Sequence, residues 1–278
     1  MDKNKLTIIL IWFVDILWIG IFIPTMPDLT TYYGVSAHSI SYAIVLFAFF
    51  SFLFWPILWQ LSDKFWRKKI LLLCIIGSFI SSLMMSISAL FWVFLLWRVI
   101  NGISWGNMSI IQSMMNDISK TKEERMQNMW ILGWLFGMWF IIGPIIWALL
   151  LPYWVKAPFW LMTGLSIVEI IMIMVFLTET NKHINEIKKI DINPFKTIIK
   201  YIKKKDVSIF LISFFILISS FAMYQGMFTV FLHKHFWVPG NYSGYIMAWI
   251  WLWIAINQAF LLKRFWMKYF TLRQLFLI

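Results

Sequence analysis

Apolar residues run on for long uninterrupted lengths in this chain, and polar residues gather in short intervals between them. A helix of roughly 20 residues crosses a bilayer core of ~30 Å, so each long apolar run predicts a membrane span. Eight runs qualify, at about residues 6–27, 40–61, 70–89, 91–115, 130–151, 157–178, 207–232 and 243–263. A ninth begins near Leu272, shortly before Ile278. The pattern predicts an all-α polytopic membrane protein in three parts. Residues 1–178 form a six-helix bundle, 179–206 a polar linker, and 207–278 an incomplete second bundle. The N-terminal run resembles a signal peptide only in its start. It lacks a small-residue cleavage site and carries Asp15, so it reads as the first span.

Composition agrees. Hydrophobic residues make up 62% of the chain and charged ones 13%, against about 25% charged in soluble domains. The net charge of +12 would suggest nucleic acid if spread over a soluble surface. Here it sits in the short loops, so the partner it implies is the lipid bilayer and not a nucleic acid. Cys74, the single cysteine, lies in an apolar run, where packing is its expected role.

The loops set an orientation. One face collects Lys3 and Lys5, then Lys64, Arg67, Lys68 and Lys69, then Lys120, Lys122 and Arg125. It also takes eight lysines between Lys182 and Lys205, and finally Lys263, Arg264, Lys268 and Arg273. Together these are 21 of the 24 Lys and Arg. The other face has Lys156 and Lys234, and Arg98 lies inside a span. The positive-inside rule then places the N-terminus in the cytoplasm. Within the linker, Asn193-Pro194 reads as a helix start. Phe195, Ile198, Ile199 and Ile202 repeat at helical spacing opposite lysines, which predicts an amphipathic helix on the anionic leaflet. A solvated linker is the plainer alternative.

Several motifs fall inside this layout. The loop Trp59-Gln60-Leu61-Ser62-Asp63-Lys64-Phe65-Trp66-Arg67-Lys68-Lys69 resembles, with glycine for the two tryptophans, the G-x-L-x-D-x-x-G-R-K-K loop between helices 2 and 3 of the major facilitator superfamily. The first run reads Asp15-x-x-Trp18-x-Gly20-x-x-x-Pro24-x-x-Pro27, resembling the D-x-x-G-x-G-x-x-x-P-x-x-P of tetracycline-type efflux pumps, and the fourth reads Trp97-Arg98-x-x-x-Gly102-x-x-Trp105-Gly106, resembling that family's G-R-x-x-x-G-x-x-G-G. The fifth has Trp139-x-x-x-Gly143-Pro144-x-x-Trp147, similar to the G-x-x-x-G-P-x-x-G of the superfamily's antiporters. The sixth ends Phe176-Leu177-x-Glu179-Thr180, similar to F-L-x-E-T in tetracycline-type pumps. The resemblance implies a major facilitator fold and proton-coupled efflux of a small amphipathic drug or tetracycline-like compound. Energy would come from the proton gradient with no cofactor, in a monomer of the inner (plasma) membrane. It also implies that Asp63, Arg67 and Lys68 form the conformational loop, with Asp63 docking towards a helix 11 that this chain does not reach. In the same way, Trp139, Gly143, Pro144 and Trp147 hold the antiporter positions.

Tryptophan is overabundant, with 19 against 12 glycines. Trp130, Trp134, Trp139 and Trp147 run along one span instead of marking its ends. Residues 139, 143 and 147 share a helix face, where small residues let backbones approach and indoles are expected to force them apart. The expectation is that many of these codons are read as glycine in the source, through a reassigned UGA.

Ionisable groups inside lipid are functional candidates. Asp15 lies near the midplane and Arg98 about ten ångströms from the outer face, by a rise of about 1.5 Å per residue. The two are expected to meet across the bundle, directly or through water, as a coupling pair. A structural ion pair is the alternative. Burial and a neighbouring guanidinium pull a carboxylate's proton affinity in opposite directions. Glu169 is a candidate second proton site. Asn101, Asn107, Gln112, Gln225, Asn257 and Gln258 are candidates for a substrate cavity, with interhelical hydrogen bonding as their plainer role. Asp28 is expected in solvent. His233-Lys234-His235 has no third ligand nearby, so no metal is expected. No Walker loop or hydrolase constellation appears, so the chain reads as no enzyme. The alternatives are a metabolite or sugar exporter of the same superfamily, or a nonfunctional truncated fragment.

Overall fold

The computed structural model describes residues 3–181, 203–257 and 267–269. Nine helices longer than one turn occupy the described residues. They are α1 (Lys3–Tyr33), α2 (Ala37–Lys64), α3 (Arg67–Ile87), α4 (Phe91–Ser104), α5 (Asn107–Ile118), α6 (Lys122–Leu150), α7 (Ala157–Val175), α8 (Lys205–Phe236) and α9 (Gly240–Ile256). Six of them (α1, α2, α3, α6, α7 and α8) are long and apolar enough to cross a membrane. The amphipathic helix expected at 193–205 lies almost wholly outside the described residues. So does the ninth run near Leu272.

One predicted span is corrected. Residues 91–115 are two helices, α4 and α5, joined at Trp105 and Gly106. Met108 N donates to the Trp105 carbonyl (3.4 Å) and Ser109 N to the Gly106 carbonyl (3.2 Å). These i→i+3 bonds tighten the chain into a 3₁₀-like turn. Gly106 lets the turn lie close against α2, since an added Cβ would come within 2.6 Å of Leu58 Cδ1. Apolar patterning is continuous through this turn, which is why the run read as one helix.

Helix starts follow local chemistry. Ser36 caps α2 by accepting from Ser39 N at 3.1 Å. Thr121 caps α6 by accepting from Glu124 N, while the Glu124 carboxylate accepts from Lys120 N at 2.9 Å. Trp66, before α3, supplies no side-chain cap.

The core surrounds α1. This helix is apolar on all sides and packs against α2, α5, α6, α7, α8 and α9, as a helix buried all round should. Ile8, Ile11, Ile16 and Ile21 are fully buried. On the other side, α3 packs on α4 and α7, and α2 on α4. The outward faces carry bare apolar side chains such as Val45, Phe49, Leu73 and Ile87, which suits lipid.

Candidate functional site

Two helix contacts frame the interior. At the first, α1 and α6 touch through glycine. A Cβ on Gly20 would lie 2.6 Å from the Trp139 carbonyl oxygen and 2.9 Å from Gly143 Cα. At the second, a Cβ on Gly244 of α9 would lie 2.8 Å from the Pro144 carbonyl oxygen. Gly143 and Pro144 thus hold α6 between α1 on one side and the second bundle on the other. The expectation that indoles at 139 and 147 force the helices apart is corrected. The glycine pair carries the contact, and the Trp139 ring turns aside onto Phe13 (ring centroids 4.3 Å apart). Trp139 and Trp147 are both buried.

Asp15 is buried on α1. Its Oδ2 accepts from Asn107 Nδ2 at 2.7 Å. The position of Asn107, the first residue of α5, follows from the turn at 105–106. Glu169 on α7 is buried as well, with Oε1 lacking a hydrogen-bond partner, and it lies within electrostatic reach of Asp15. Asp15 and the Asn107 amide therefore form a polar pair in an apolar core, with Glu169 a second buried acid on α7. Sequence reasoning singled out both acids but gave Asn107 no role on Asp15.

Arg98 does not meet Asp15. Its guanidinium carbon lies 4.1 Å from the Phe22 ring, 4.3 Å from Phe47 and 4.9 Å from Trp97. Phe22 is two turns beyond Asp15 on α1, a displacement of about 10 Å. An aromatic layer fills the interval, with Trp18 on Trp97 at 5.8 Å and Phe22 on Trp97 at 5.3 Å. Arg98 Nε instead donates to the Ala43 carbonyl (3.1 Å) and Nη1 to Asn101 Oδ1 (3.4 Å).

Arg98 and Asn101 line a cavity of about 260 Å³ bounded by α1, α2, α4, α6 and α8. Gln112 lines a second cavity of about 450 Å³, which shares Ile19, Trp105 and Phe136 with the first. Gln225 falls on α8. Asn257 is exposed at the end of α9, away from either cavity lining. Gln258 lies outside the described residues. Asp28 is not fully solvated: its Oδ2 is out of water with no hydrogen-bond partner.

The basic loop docks within the chain. Arg67 pairs with Asp63 at 2.8 Å and with Asp117, at the end of α5, at 2.6 Å. The Glu179 carboxylate accepts from the backbone N–H of Arg67 (3.1 Å) and Lys68 (3.0 Å). It thereby supplies the N-terminal cap that α3 lacks locally. Asn181 Nδ2 is placed against the carbonyls of Ser62, Asp63 and Phe65, and Lys68 Nζ donates to the Met174 carbonyl at the end of α7. Burial pushes the Asp117 carboxyl up from its ordinary value, with Arg67 opposing. Asp117 and Asn181 carried no sequence signal. Glu179 had one in the F-L-x-E-T match.

The chain is 32% identical over 192 residues to the tetracycline resistance protein, class H, of Pasteurella multocida, covering 66% of this chain and 46% of that protein. It is 28% identical over 183 residues to the class B protein of Escherichia coli, covering 65% and 45%. With multidrug resistance protein 2 of Bacillus subtilis it shares 24% identity over 240 residues, covering 84% and 60%. The chain thus spans about half the length of the tetracycline resistance proteins it matches. Among solved structures, the human organic anion transporter MFSD10 superposes with a TM-score of 0.71 at 19% identity, covering 94% of this chain and 72% of that one. The nucleoside transporter NupG superposes at 0.68 and 16%, covering 94% and 69%. Residues 8–278 match the profile of the Major Facilitator Superfamily, and the chain belongs to that superfamily.

Proposed function

We propose that this chain belongs to the helical body of a proton-coupled efflux transporter, exporting a small amphipathic drug by alternating access. The observation that carries the reading is the buried Asp15. A carboxylate buried at mid-span and hydrogen-bonded by Asn107, with a second buried acid at Glu169 on α7, is costly to keep in a membrane unless it takes up and releases a proton. The tetracycline and multidrug resistance relatives favour drug efflux over other cargo. In this reading Asp15 and Glu169 hold the proton, and Arg98 and Asn101 face the substrate. The α6 motif Trp139, Gly143, Pro144 and Trp147 joins the two bundles, and Asp63, Arg67 and Lys68 latch one face. The N-terminus is cytoplasmic, in the inner membrane.

The test uses everted vesicles containing the protein expressed from its complete gene, with the codons read as in the source. Tetracycline added to energised vesicles should release protons and accumulate. Asp15→Asn should lose both responses. Substrate-driven proton release that persists in Asp15→Asn would overturn the assignment.

A further inference from the structure

The cavity around Arg98 offers hydrogen-bond donors and almost nothing that accepts. Arg98 is 5% exposed and Asn101 3%. Arg98 uses one N–H on the Ala43 carbonyl and one on Asn101 Oδ1. Its other N–H groups have no partner among the described residues, and no described carboxylate pairs with it. By accepting from Arg98 through Oδ1, Asn101 must turn its amide nitrogen away from the guanidinium. That Nδ2 is buried and lacks a partner. The rest of the wall is apolar, with Phe22, Phe47, Phe140 and Phe221 among its rings. Phe22 and Phe47 lie close to the guanidinium and keep it from water.

An unneutralised guanidinium beside an unpartnered amide N–H calls for an anionic acceptor. The aromatic wall calls for a flat apolar body attached to it. A volume of about 260 Å³ is just under the ~300 Å³ at which drug-sized pockets begin, so the body is compact. We propose that this cavity binds compact aromatic organic anions, carboxylates or sulfonates. Their acid oxygens would be held by Arg98 and Asn101 and their rings by the phenylalanine wall. The proposal rests on the transporter reading and narrows its substrate class. Arg98, Asn101 and the four phenylalanines keep their identities however the tryptophan codons are read, whereas the volume, and with it the limit to compact bodies, is that of the chain with tryptophan at 18 and 105, which line the cavity.

The experiment is equilibrium binding to the full-length protein in nanodiscs, read by fluorescence anisotropy. The probes are a matched pair, dansylglycine as the anion and dansylcadaverine as the cation. The anion should bind at least tenfold more tightly. Arg98→Gln should weaken dansylglycine about ten- to hundredfold, the usual worth of a hydrogen bond to a charged group, and leave dansylcadaverine unchanged or tighter. Asn101→Asp guards against misfolding of the first variant, because it gives Arg98 an internal carboxylate. It should also abolish the preference for the anion. Equal or tighter binding of the cation, unchanged anion binding in both variants, or failure to bind either probe would each overturn the proposal. Binding needs no gradient, so loss of proton-coupled transport with the anion preference intact would sink the transport reading alone.

Discussion

Asn107 Nδ2 donates to Asp15 Oδ2 at 2.7 Å, and this bond, not one to Arg98, is what holds the buried carboxylate in the fold. Asn107 is the first residue of α5, just after the turn at Trp105 and Gly106, and α5 packs against α1. Acid and base are therefore separated into two compartments. Asp15 lies with Asn107 on one side of the aromatic layer, and Arg98 faces the cavity on the other.

This separation makes the Asn107 bond testable by itself. Asn107→Leu leaves the buried Asp15 carboxyl without its donor and should cost about 1–3 kcal/mol of stability. Asp15→Leu in the same background should recover part of that loss, since the buried acceptor that needed a donor is gone. Thermal unfolding in detergent, arranged as a double-mutant cycle, reads the coupling. Additive losses would mean that the two side chains do not interact.

The cap on α3 yields a second prediction. Glu179 accepts from two free N–H groups at the α3 N-terminus, where the helix dipole also favours negative charge. Glu179→Ala should cost about 1 kcal/mol. It should also accelerate hydrogen exchange at the Arg67 and Lys68 amides while leaving the start of α6, capped by Thr121, unchanged. Equal rates at α3 in both proteins would show that the cap contributes nothing.

These two contacts mark the limit of what the sequence made legible. The spans could be read because lipid forces every backbone group into a helix and every long apolar run to declare itself. The turn at 105–106 could not, because i→i+3 bonds leave the apolar pattern unbroken. Asp15, Arg98 and Glu169 stood out as charges in lipid, but their partners depend on which helix levels coincide. Arg98 meets Phe22 rather than Asp15, an offset of about 10 Å that no spacing rule predicts. The basic loop announced itself by charge, whereas Asp117 and Asn181 reach it from distant parts of the chain.

Glycine at the α1–α6 crossing is predicted to be irreplaceable. In Gly20→Ala the new methyl would meet the Trp139 carbonyl oxygen and Gly143 Cα, both backbone atoms that cannot swing aside. The expected cost is about 1–3 kcal/mol, with loss of transport. Gly137→Ala on α6 meets nothing within 4 Å and should be neutral, or stabilising by about 0.5–1 kcal/mol. Thermal unfolding of the two variants side by side distinguishes a packing requirement from general intolerance of α6.

The tryptophans make the sharpest prediction. Trp12 donates its indole N–H to the Leu132 carbonyl at 2.9 Å, as a buried indole should. Trp18, Trp97, Trp139 and Trp147 are buried with no partner for theirs, and all four stand where the motifs place glycine. Each orphaned donor costs about 1–3 kcal/mol. Not every such position needs glycine: Trp66 has an ordinary extended backbone at φ −102°. Trp237 is the opposite case. No motif singled it out, yet it ends α8 in the left-handed region at φ 55°, where glycine commonly ends a helix and any other residue costs about 1–2 kcal/mol. We therefore expect peptide mass spectrometry of the native protein to read glycine at 18, 97, 139, 147 and 237. Trp237→Gly should raise the unfolding temperature. Trp139→Gly with Trp147→Gly should fold at least as well as the tryptophan form, whereas removing two native core indoles would cost about 3–5 kcal/mol each. With glycine at 18 and 97, the aromatic layer between Asp15 and Arg98 would open and the cavity would extend towards Asp15. Tryptophan in the native peptides would end that account.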